Sequence, residues 1–188
     1  MILHPTTRAR RLGIPGLPHH DRLAATLGRR LDDGFHWFRD VTPGTTEPID
    51  AVLVGPGGIF AITMSGERGR FTRRNGHWYR WNRSTESWVP WAAVPVTSTR
   101  MAGHRLALYL ERAMIPATVS GVLVSPVEME VVAGPREQLG IVAERDPEQL
   151  ARLVSTGEEL SPQQVDRIVA LLDPRQPLPR LAQATPGG

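Results

Sequence analysis

The segment PIDAVLVGPGGIFAITMSGERG, residues 48–69, decides the fold class of this chain. It holds two apolar runs, IDAVLVG and GIFAITM, which are separated by Pro56 and Gly57. Apolar runs of this length on either side of a Pro-Gly turn indicate two buried strands. The Gly-rich turn leads into a strand and not into a helix, so it lacks the pattern of a phosphate-binding loop. We therefore predict a buried antiparallel hairpin.

Helices and further strands are predicted on both sides of this hairpin. Before it, Asp21 precedes apolar residues at helical spacing, and FHWFRDV alternates as a strand does. After it come short strands around the turn pair Asn75-Gly76, and then a long helix over about 96–113 with Pro95 near its first turn. The strand TVSGVLVSP, two shorter strands and two helices complete the order. This order predicts an α/β fold with a mixed, mostly antiparallel sheet flanked by helices.

The length of 188 residues suits one compact domain with some terminal excess. Residues 1–18 are rich in Pro, Gly and Arg without periodicity, and we expect an irregular arm there. Residues 174–188 have too little apolar content to fold and are predicted to form a disordered tail. A single α/β domain is therefore predicted over 19–173.

The composition excludes several kinds of chemistry. The chain has no cysteine, which rules out disulfides, thiolate catalysis and cysteine-based zinc sites. All 22 basic residues are arginine, so no lysine-dependent mechanism can operate. No apolar run approaches the roughly 18 residues of a membrane span, and the first residues lack a signal-peptide centre. We therefore expect a cytoplasmic protein without a membrane partner.

Basic charge is concentrated immediately after the hairpin, although the net charge of the chain is only +3. Between positions 66 and 83 a group of arginines faces a single acid, Glu67. These arginines are Arg68, Arg70, Arg73, Arg74, Arg80 and Arg83. Such a cluster suits phosphate or an acidic protein surface, and it is equally typical of a solvated hairpin. Both interpretations stay open at this point.

Tryptophans accompany these arginines in the stretch HWYRWNRSTESWVPW, residues 77–91. Aromatic rings interleaved with guanidinium groups are typical of a surface that stacks single-stranded nucleic acid. Tryptophans that pair across strands and cover a core are the more common alternative. Trp78 is the best candidate for a core role, whereas Trp81, Trp88 and Trp91 can serve either purpose.

In this order the elements resemble the nuclease-related domain, NERD, a branch of the PD-(D/E)XK nuclease superfamily. The resemblance covers about residues 20–124 and rests first on the stretch DVTPGTTEPIDAVLVGPGGIFAI. The other local matches are Gly69, the Asn75-Gly76 turn, Trp78, and Pro95 with the helix after it, which takes the place of the family's Asn-Pro-x-x-Gln helix. The resemblance implies a restriction-endonuclease-like core.

The same resemblance implies a metal-dependent site, and most of its residues differ here. In the family, an Asp on the first strand and a Glu-x-Lys on the second converge with a helix glutamine and an N-terminal glutamate. The carboxylates hold Mg²⁺, which generates hydroxide. Asp50 matches the first acid, whereas the other four positions fall on Thr63, Ser65, Ser98 and Asp21. The carried-over site is therefore vestigial, with Asp50 a weak metal candidate.

Three functions follow as hypotheses. The first is a catalytically inactive nuclease-related domain, a pseudoenzyme without a cofactor, that acts as a binding or scaffold module for DNA or RNA through the six arginines and Trp81. The second is a protein-interaction or self-association module with no nucleic-acid role. The third is a cryptic nuclease that depends on Mg²⁺ or Mn²⁺ and uses Asp50 and Glu67, with Arg68 or Arg70 as its cation. The hydroxyls of Thr63 and Ser65 would also allow the vacated site to hold a small molecule.

Overall fold

The structure is a computed structural model that describes residues 1–4, 19–44, 47–125, 129–132, 139–143, 147–156 and 160–173. Within these ranges the strands are β1 (Ile2–Leu3), β2 (His36–Val41), β3 (Ile49–Gly55), β4 (Gly58–Met64), β5 (Gly69–Arg74), β6 (His77–Asn82), β7 (Ser87–Pro90), β8 (Val119–Ser125), β9 (Met129–Val132) and β10 (Leu139–Ala143). The helices are α1 (His19–Leu27), α2 (Val94–Arg112), α3 (Pro147–Ser155) and α4 (Pro162–Leu172). The predicted tail, residues 174–188, lies outside the described residues, as do residues 5–18 of the predicted arm.

The fold is mixed α/β, and its described strands form two sheets. The larger sheet has the order β1-β2-β3-β4-β8-β10, in which β2, β3 and β4 pair antiparallel and the other neighbours pair parallel. The smaller sheet has the order β7-β6-β5-β9, with β9 parallel to β5. Since six of the described strands have an antiparallel neighbour, the core is mostly antiparallel.

The sequence predicted one sheet, and the formation of a second is a correction. Strand β4 ends at Met64, and pairing resumes at Gly69 with new partners. Gly69 has a φ of 127°, a backbone conformation that residues with a Cβ atom rarely adopt. Residues 65–68, between the two positions, separate β5, β6 and β7 from the larger sheet.

Strands β3 and β4 form the predicted hairpin and are buried on both faces. Alternate side chains point to opposite faces of a strand, so neighbouring residues of β3 enter different cores. Ala51 and Leu53 pack with residues of α1 and α3 on one face. Val52 and Val54 pack with residues of α2 and α4 on the other. This two-sided burial explains why both strands read as continuous apolar runs and not as alternating ones.

The turn of the hairpin requires glycine because other parts of the chain press against it. A Cβ added to Gly55 would lie 2.2 Å from the ring of Phe35, and one added to Gly57 would lie 1.9 Å from the carbonyl oxygen of Val154. Both separations are far below van der Waals contact. The carbonyl oxygen of Pro56 accepts a hydrogen bond from the backbone N–H of Leu160 at 2.9 Å. The turn is thus a docking point for the chain around α3 and α4.

Helix α2 positions one wall of the site described below. Its sequence prediction is confirmed with a start two residues earlier, at Val94, and Pro95 occupies the first turn. Val96, Ala102, Leu106 and Leu110 are buried along the side that faces β4 and β8. The first half of α2 therefore lies over the open end of the hairpin, where β3 begins and β4 ends.

The first residues form a strand, in contrast to the irregular arm that was predicted for them. Ile2 and Leu3 pair parallel with β2, and the N-terminal ammonium of Met1 donates to the carbonyl oxygen of Leu31 at 3.0 Å. His4 stacks on Phe38 with 4.1 Å between ring centroids. These contacts attach β1 to the edge of the larger sheet. The described helices include none that is long and apolar enough to cross a membrane.

Two histidines join this edge to the rest of the fold. The Nε2 atom of His4 lies 3.1 Å from Nδ1 of His36, and the Nδ1 atom of His4 lies 3.8 Å from a carboxylate oxygen of Asp173 at the end of α4. Burial lowers the pKa of His36 below its ordinary value of 6.5; the charge of Asp166 opposes this shift, and the N-terminal ammonium adds to it. Burial therefore favours the neutral form of His36 in the folded state.

We expect the free energy of unfolding to fall as the pH drops below about 6.5. Because the pKa of His36 is lower in the folded chain, the unfolded chain binds the proton first, and stability contributed at higher pH is lost on acidification. Urea denaturation from pH 8 to pH 5 measures this loss, and the slope should be smaller in His36→Gln. His77→Gln, which replaces an exposed histidine at the start of β6, is the matched control, and an equal change of slope in both variants would contradict the assignment to His36.

Candidate functional site

A cleft of about 750 Å³ lies between the β3–β4 hairpin and the first half of α2. Its lining mixes acidic, hydroxyl and apolar side chains with one guanidinium group. The lining residues that matter below are Glu47, Asp50, Thr63, Ser65, Glu67, Val94, Pro95, Ser98, Met101, Ala102 and Arg105. The volume is within the range of roughly 300–1,000 Å³ that small-molecule sites occupy.

Strand alternation brings the predicted site residues of β3 and β4 to this cleft. Ala51 pairs with Ile62, so an extension of the register by one residue places Asp50 opposite Thr63. Asp50 lies two residues from Val52 and Thr63 two residues from Ala61, so each pair shares one face of the sheet. Val52 and Ala61 belong to the core that packs against α2, and Asp50 and Thr63 are therefore on the α2 side. Asp50, Thr63, Ser65, Glu67 and Ser98 all line this cleft.

Asp50 is tied to the neighbouring strand. Its Oδ2 atom accepts a hydrogen bond from the backbone N–H of Met64 at 2.7 Å. A charge-assisted bond of this length fixes the orientation of the carboxylate in the cleft. Asp50 thus has a structural role in the hairpin in addition to lining the cleft.

Thr63 is engaged by a helix residue that the sequence did not single out. Its hydroxyl contacts the hydroxyl of Thr99, which is fully buried and also donates to the carbonyl oxygen of Pro95 at 2.8 Å. Ser98, the residue aligned with the family's glutamine, lines the cleft with an exposed side chain. Adjacent residues of a helix point in different directions, so α2 directs Thr99 toward β4 and leaves Ser98 exposed.

Ser65 and Glu67 form a short turn at the end of β4. The Ser65 hydroxyl is buried and accepts the backbone N–H of Glu67 at 3.1 Å, while the Ser65 N–H donates to the carbonyl oxygen of Val124 at 2.9 Å. A carboxylate oxygen of Glu67 lies 3.9 Å from a guanidinium nitrogen of Arg80. Glu67 is therefore shared between the cleft and the smaller sheet.

Arg105 and Glu47 are cleft residues that sequence reasoning missed. The guanidinium of Arg105 donates to the carboxylate of Glu47, while its Nε atom is buried with no hydrogen-bond partner in the described part of the chain. The side chain of Arg105 is 19% exposed and that of Glu47 is 73% exposed. Helical spacing could have identified Arg105 as a cleft residue, since Ser98, Met101 and Arg105 share one face of α2.

The remaining position carried over from the family is Asp21. It lies in α1, and the neighbouring residues Leu23 and Leu27 pack on the face of the larger sheet opposite to α2. Its side chain is outside what the structure describes. Across the described ranges, no group of three or more histidine, aspartate and glutamate side chains is arranged to hold a metal ion.

The smaller sheet divides the predicted arginine and tryptophan cluster between two faces. Phe71, Trp78 and Trp91 share the inner face, where the Phe71 and Trp91 ring centroids are 4.3 Å apart and both rings join a core with Val96 and Leu123. Trp78 meets Trp91 edge to face, with centroids 6.0 Å apart. The core interpretation of Trp78 therefore agrees with the geometry, and Trp91 has the same role.

Two of the arginines share this inner face. Register pairs Phe71 with Arg80 and Arg73 with Trp78. A guanidinium nitrogen of Arg80 donates to the carbonyl oxygen of Arg68 at 3.1 Å, and the group lies 5.9 Å from the Phe71 ring centroid. Arg80 is thus occupied with structural contacts.

The outer face carries the other half of the cluster. Arg70, Arg74, Trp81 and Trp88 have the opposite strand parity, and Trp81 pairs directly with Trp88 at a centroid distance of 5.3 Å. The guanidinium of Arg74 lies over the Trp88 ring at 5.5 Å from its centroid. Arg70 and Arg74 are exposed, and both tryptophans are partly exposed. Arg68 and Arg83 are exposed in the segments between strands.

Comparisons with protein-family models, with curated proteins and with solved structures found no match to this chain.

Replacement of Thr99 by Val should lower the free energy of unfolding by about 1–2 kcal/mol. The substitution keeps the side-chain volume but removes the hydroxyl that contacts Thr63 and donates to Pro95. Urea denaturation measures the change, with Thr97→Val as a control on the exposed side of the same helix turn. If both variants lose equal stability, the hydroxyl contact does not stabilise the fold.

Proposed function

We propose that this chain is a degenerate member of the nuclease-related domain family, built on a PD-(D/E)XK-type core, and that it binds nucleic acid without cleaving it. The support for the family is the order of elements: a buried hairpin, a helix that crosses its face, and a parallel strand β8 beside β4. The placement of Asp50 in a cleft beneath α2 fits the same core.

The argument for lost catalysis rests on the residues that line the cleft. Thr63 and Ser65 stand where the family has an acid and a lysine, and the chain contains no lysine. A hydroxyl is a poor ligand for Mg²⁺, which binds charged oxygens. Asp50 and Glu67 share the cleft, which is the observation in favour of a cryptic nuclease, but Glu67 is paired with Arg80. A pseudoenzyme needs no cofactor, and Mg²⁺ or Mn²⁺ enters only in the cryptic-nuclease hypothesis.

We expect no cleavage of supercoiled plasmid or of single-stranded DNA in the presence of either Mg²⁺ or Mn²⁺. The measurement is a gel assay over hours at an excess of protein, with Asp50→Asn as the comparison. Cleavage that disappears in Asp50→Asn would establish the cryptic nuclease instead. Cleavage that persists in that variant would point to a contaminating enzyme.

The single observation that carries nucleic-acid binding is the outer face of the smaller sheet. There, Arg70 and Arg74 accompany the Trp81–Trp88 pair, and Arg74 already lies over an indole ring. Guanidinium groups attract phosphates, and partly exposed aromatic rings stack on bases. The inner-face residues Arg73 and Arg80 are not needed for this surface, which narrows the six-arginine cluster of the sequence analysis.

Electrostatics favour the outer face over the cleft as the surface for nucleic acid. Glu47, Asp50 and Glu67 all line the cleft, and their carboxylates would repel a phosphate backbone that has no metal to screen it. Arg105 is the cleft's one cation among the described lining residues, and it is paired with Glu47. The proposed surface therefore differs from the one a nuclease of this family would use.

Trp88→Ala should weaken binding of a fluorescent single-stranded DNA or RNA oligonucleotide by roughly 5-fold to 150-fold, since one base stack is worth ~1–3 kcal/mol. Arg70→Ala and Arg74→Ala should each weaken it and reduce the dependence on salt by roughly 0.7 in the log–log slope. Fluorescence anisotropy at several salt concentrations measures both effects.

The control for this experiment is Arg112→Ala, at the opposite end of α2. It changes the net charge equally, so equal weakening by Arg112→Ala and Arg74→Ala would show that only net charge matters. Absence of binding by the wild-type chain at low salt would overturn the proposal.

A second candidate, self-association, is favoured by a different surface. Val94, Met101 and Leu108 recur every seven residues along α2 and are 64%, 49% and 38% exposed. Such spacing produces an apolar stripe along a helix. Light scattering distinguishes this candidate, because a dimer that dissociates in Met101→Glu would support it, and a concentration-independent monomer would exclude it.

A further inference from the structure

We propose that the cleft between the β3–β4 hairpin and α2 binds a small organic cation, specifically a primary alkylammonium group. This site is separate from the nucleic-acid surface on the smaller sheet, and it does not depend on that function. Three features of the cleft support it: the direction of a hydroxyl hydrogen bond, the balance of charges and an apolar wall.

The direction of the hydrogen bond between Thr63 and Thr99 follows from counting protons. A threonine hydroxyl has one proton to donate and lone pairs to accept with. Thr99 donates its proton to the carbonyl oxygen of Pro95 at 2.8 Å, so the contact between the two hydroxyls requires Thr63 to be the donor. Toward the cleft, Thr63 can then act only as an acceptor.

The charged groups around Thr63 are also mostly acceptors. Asp50, Glu47 and Glu67 contribute three carboxylates to the lining, against two guanidinium groups: Arg105, which donates to Glu47 in the cleft, and Arg80, which lies beside Glu67 on the smaller sheet. An ammonium group has three N–H donors and no acceptor, which matches a wall of carboxylate and hydroxyl oxygens. An anionic ligand would find one cation that is already paired with Glu47.

The opposite wall is apolar and can cover a short hydrocarbon chain. Val94, Pro95, Met101 and Ala102 line the α2 side of the cleft. Val94 and Met101 are 64% and 49% exposed, so a ligand in the cleft would remove their apolar surface from water. A bare metal ion would not use this wall, and the described residues hold no three-ligand metal group. An amine with an alkyl chain uses both walls.

The test is isothermal titration calorimetry of the full chain with methylammonium, butylammonium and hexylammonium, and with hexanoate as the anion of matching shape. We expect affinity to rise by up to about fourfold for each added methylene that the apolar wall covers. Hexanoate should show no saturable binding. If hexanoate binds as well as hexylammonium, or if no alkylammonium binds saturably, the proposal is overturned.

Two variants locate the site. Asp50→Asn should weaken hexylammonium binding on the order of tenfold or more, because it removes the charge that faces the ammonium. Glu111→Gln removes the same charge from an exposed position in the last turn of α2 and should leave the affinity unchanged. Equal affinity of Asp50→Asn and the wild type would contradict the assignment.

A variant that does not touch the hairpin keeps the test decisive if Asp50→Asn fails to fold. Met101→Ala shortens a half-exposed side chain of the apolar wall. It should reduce the ratio of hexylammonium to methylammonium affinity while leaving methylammonium binding unchanged. An unchanged ratio would show that the chain does not lie against α2, and the proposal would fail.

Discussion

Burial of the β3–β4 hairpin on both faces is the constraint on which the rest of the structure depends. Each face needs its own apolar cover, and α1 with α3 supplies one while α2 with α4 supplies the other. The turn must also fit beneath the chain around α3, which is why Gly57 cannot carry a side chain. The helices are therefore arranged around the hairpin by its demand for burial, with little freedom left for other placements.

The same constraint creates the cleft. The hairpin is buried along most of its length, so the residues at its open end lie at the edge of the core: Asp50 at the start of β3, Thr63 near the end of β4, and Ser65 just after it. Their side chains lie on the face of the sheet that packs against α2, so polar groups lie beneath the first turns of that helix. The cleft therefore presents one carboxylate and two hydroxyls at the open end of the hairpin.

The sequence predicted the hairpin, α2 and β8, because periodicity and turn residues report local structure. A shared location for Asp50, Thr63, Ser65 and Ser98 was implied only by the family resemblance. It did not predict the second sheet, since apolar alternation does not reveal which strands become neighbours. The division of the arginines between two faces depends on register, which pairs Arg80 with Phe71 and leaves Arg74 beside Trp88. Thr99 and Arg105 were missed because their partners, Thr63 and Glu47, are distant in the chain.

The parallel pairings have a consequence for the order in which the chain can fold. Ile59 pairs with Val119 and Gly69 with Met129, so each pairing joins positions 60 apart (119 minus 59, and 129 minus 69). Contacts of such separation are slow to form because the intervening loop must close first. Strands β8 and β9 follow one another and add a parallel neighbour to β4 and to β5; β10 then pairs with β8 at the edge of the larger sheet. During synthesis on a ribosome, β9 therefore completes the smaller sheet before β10 can complete the larger one.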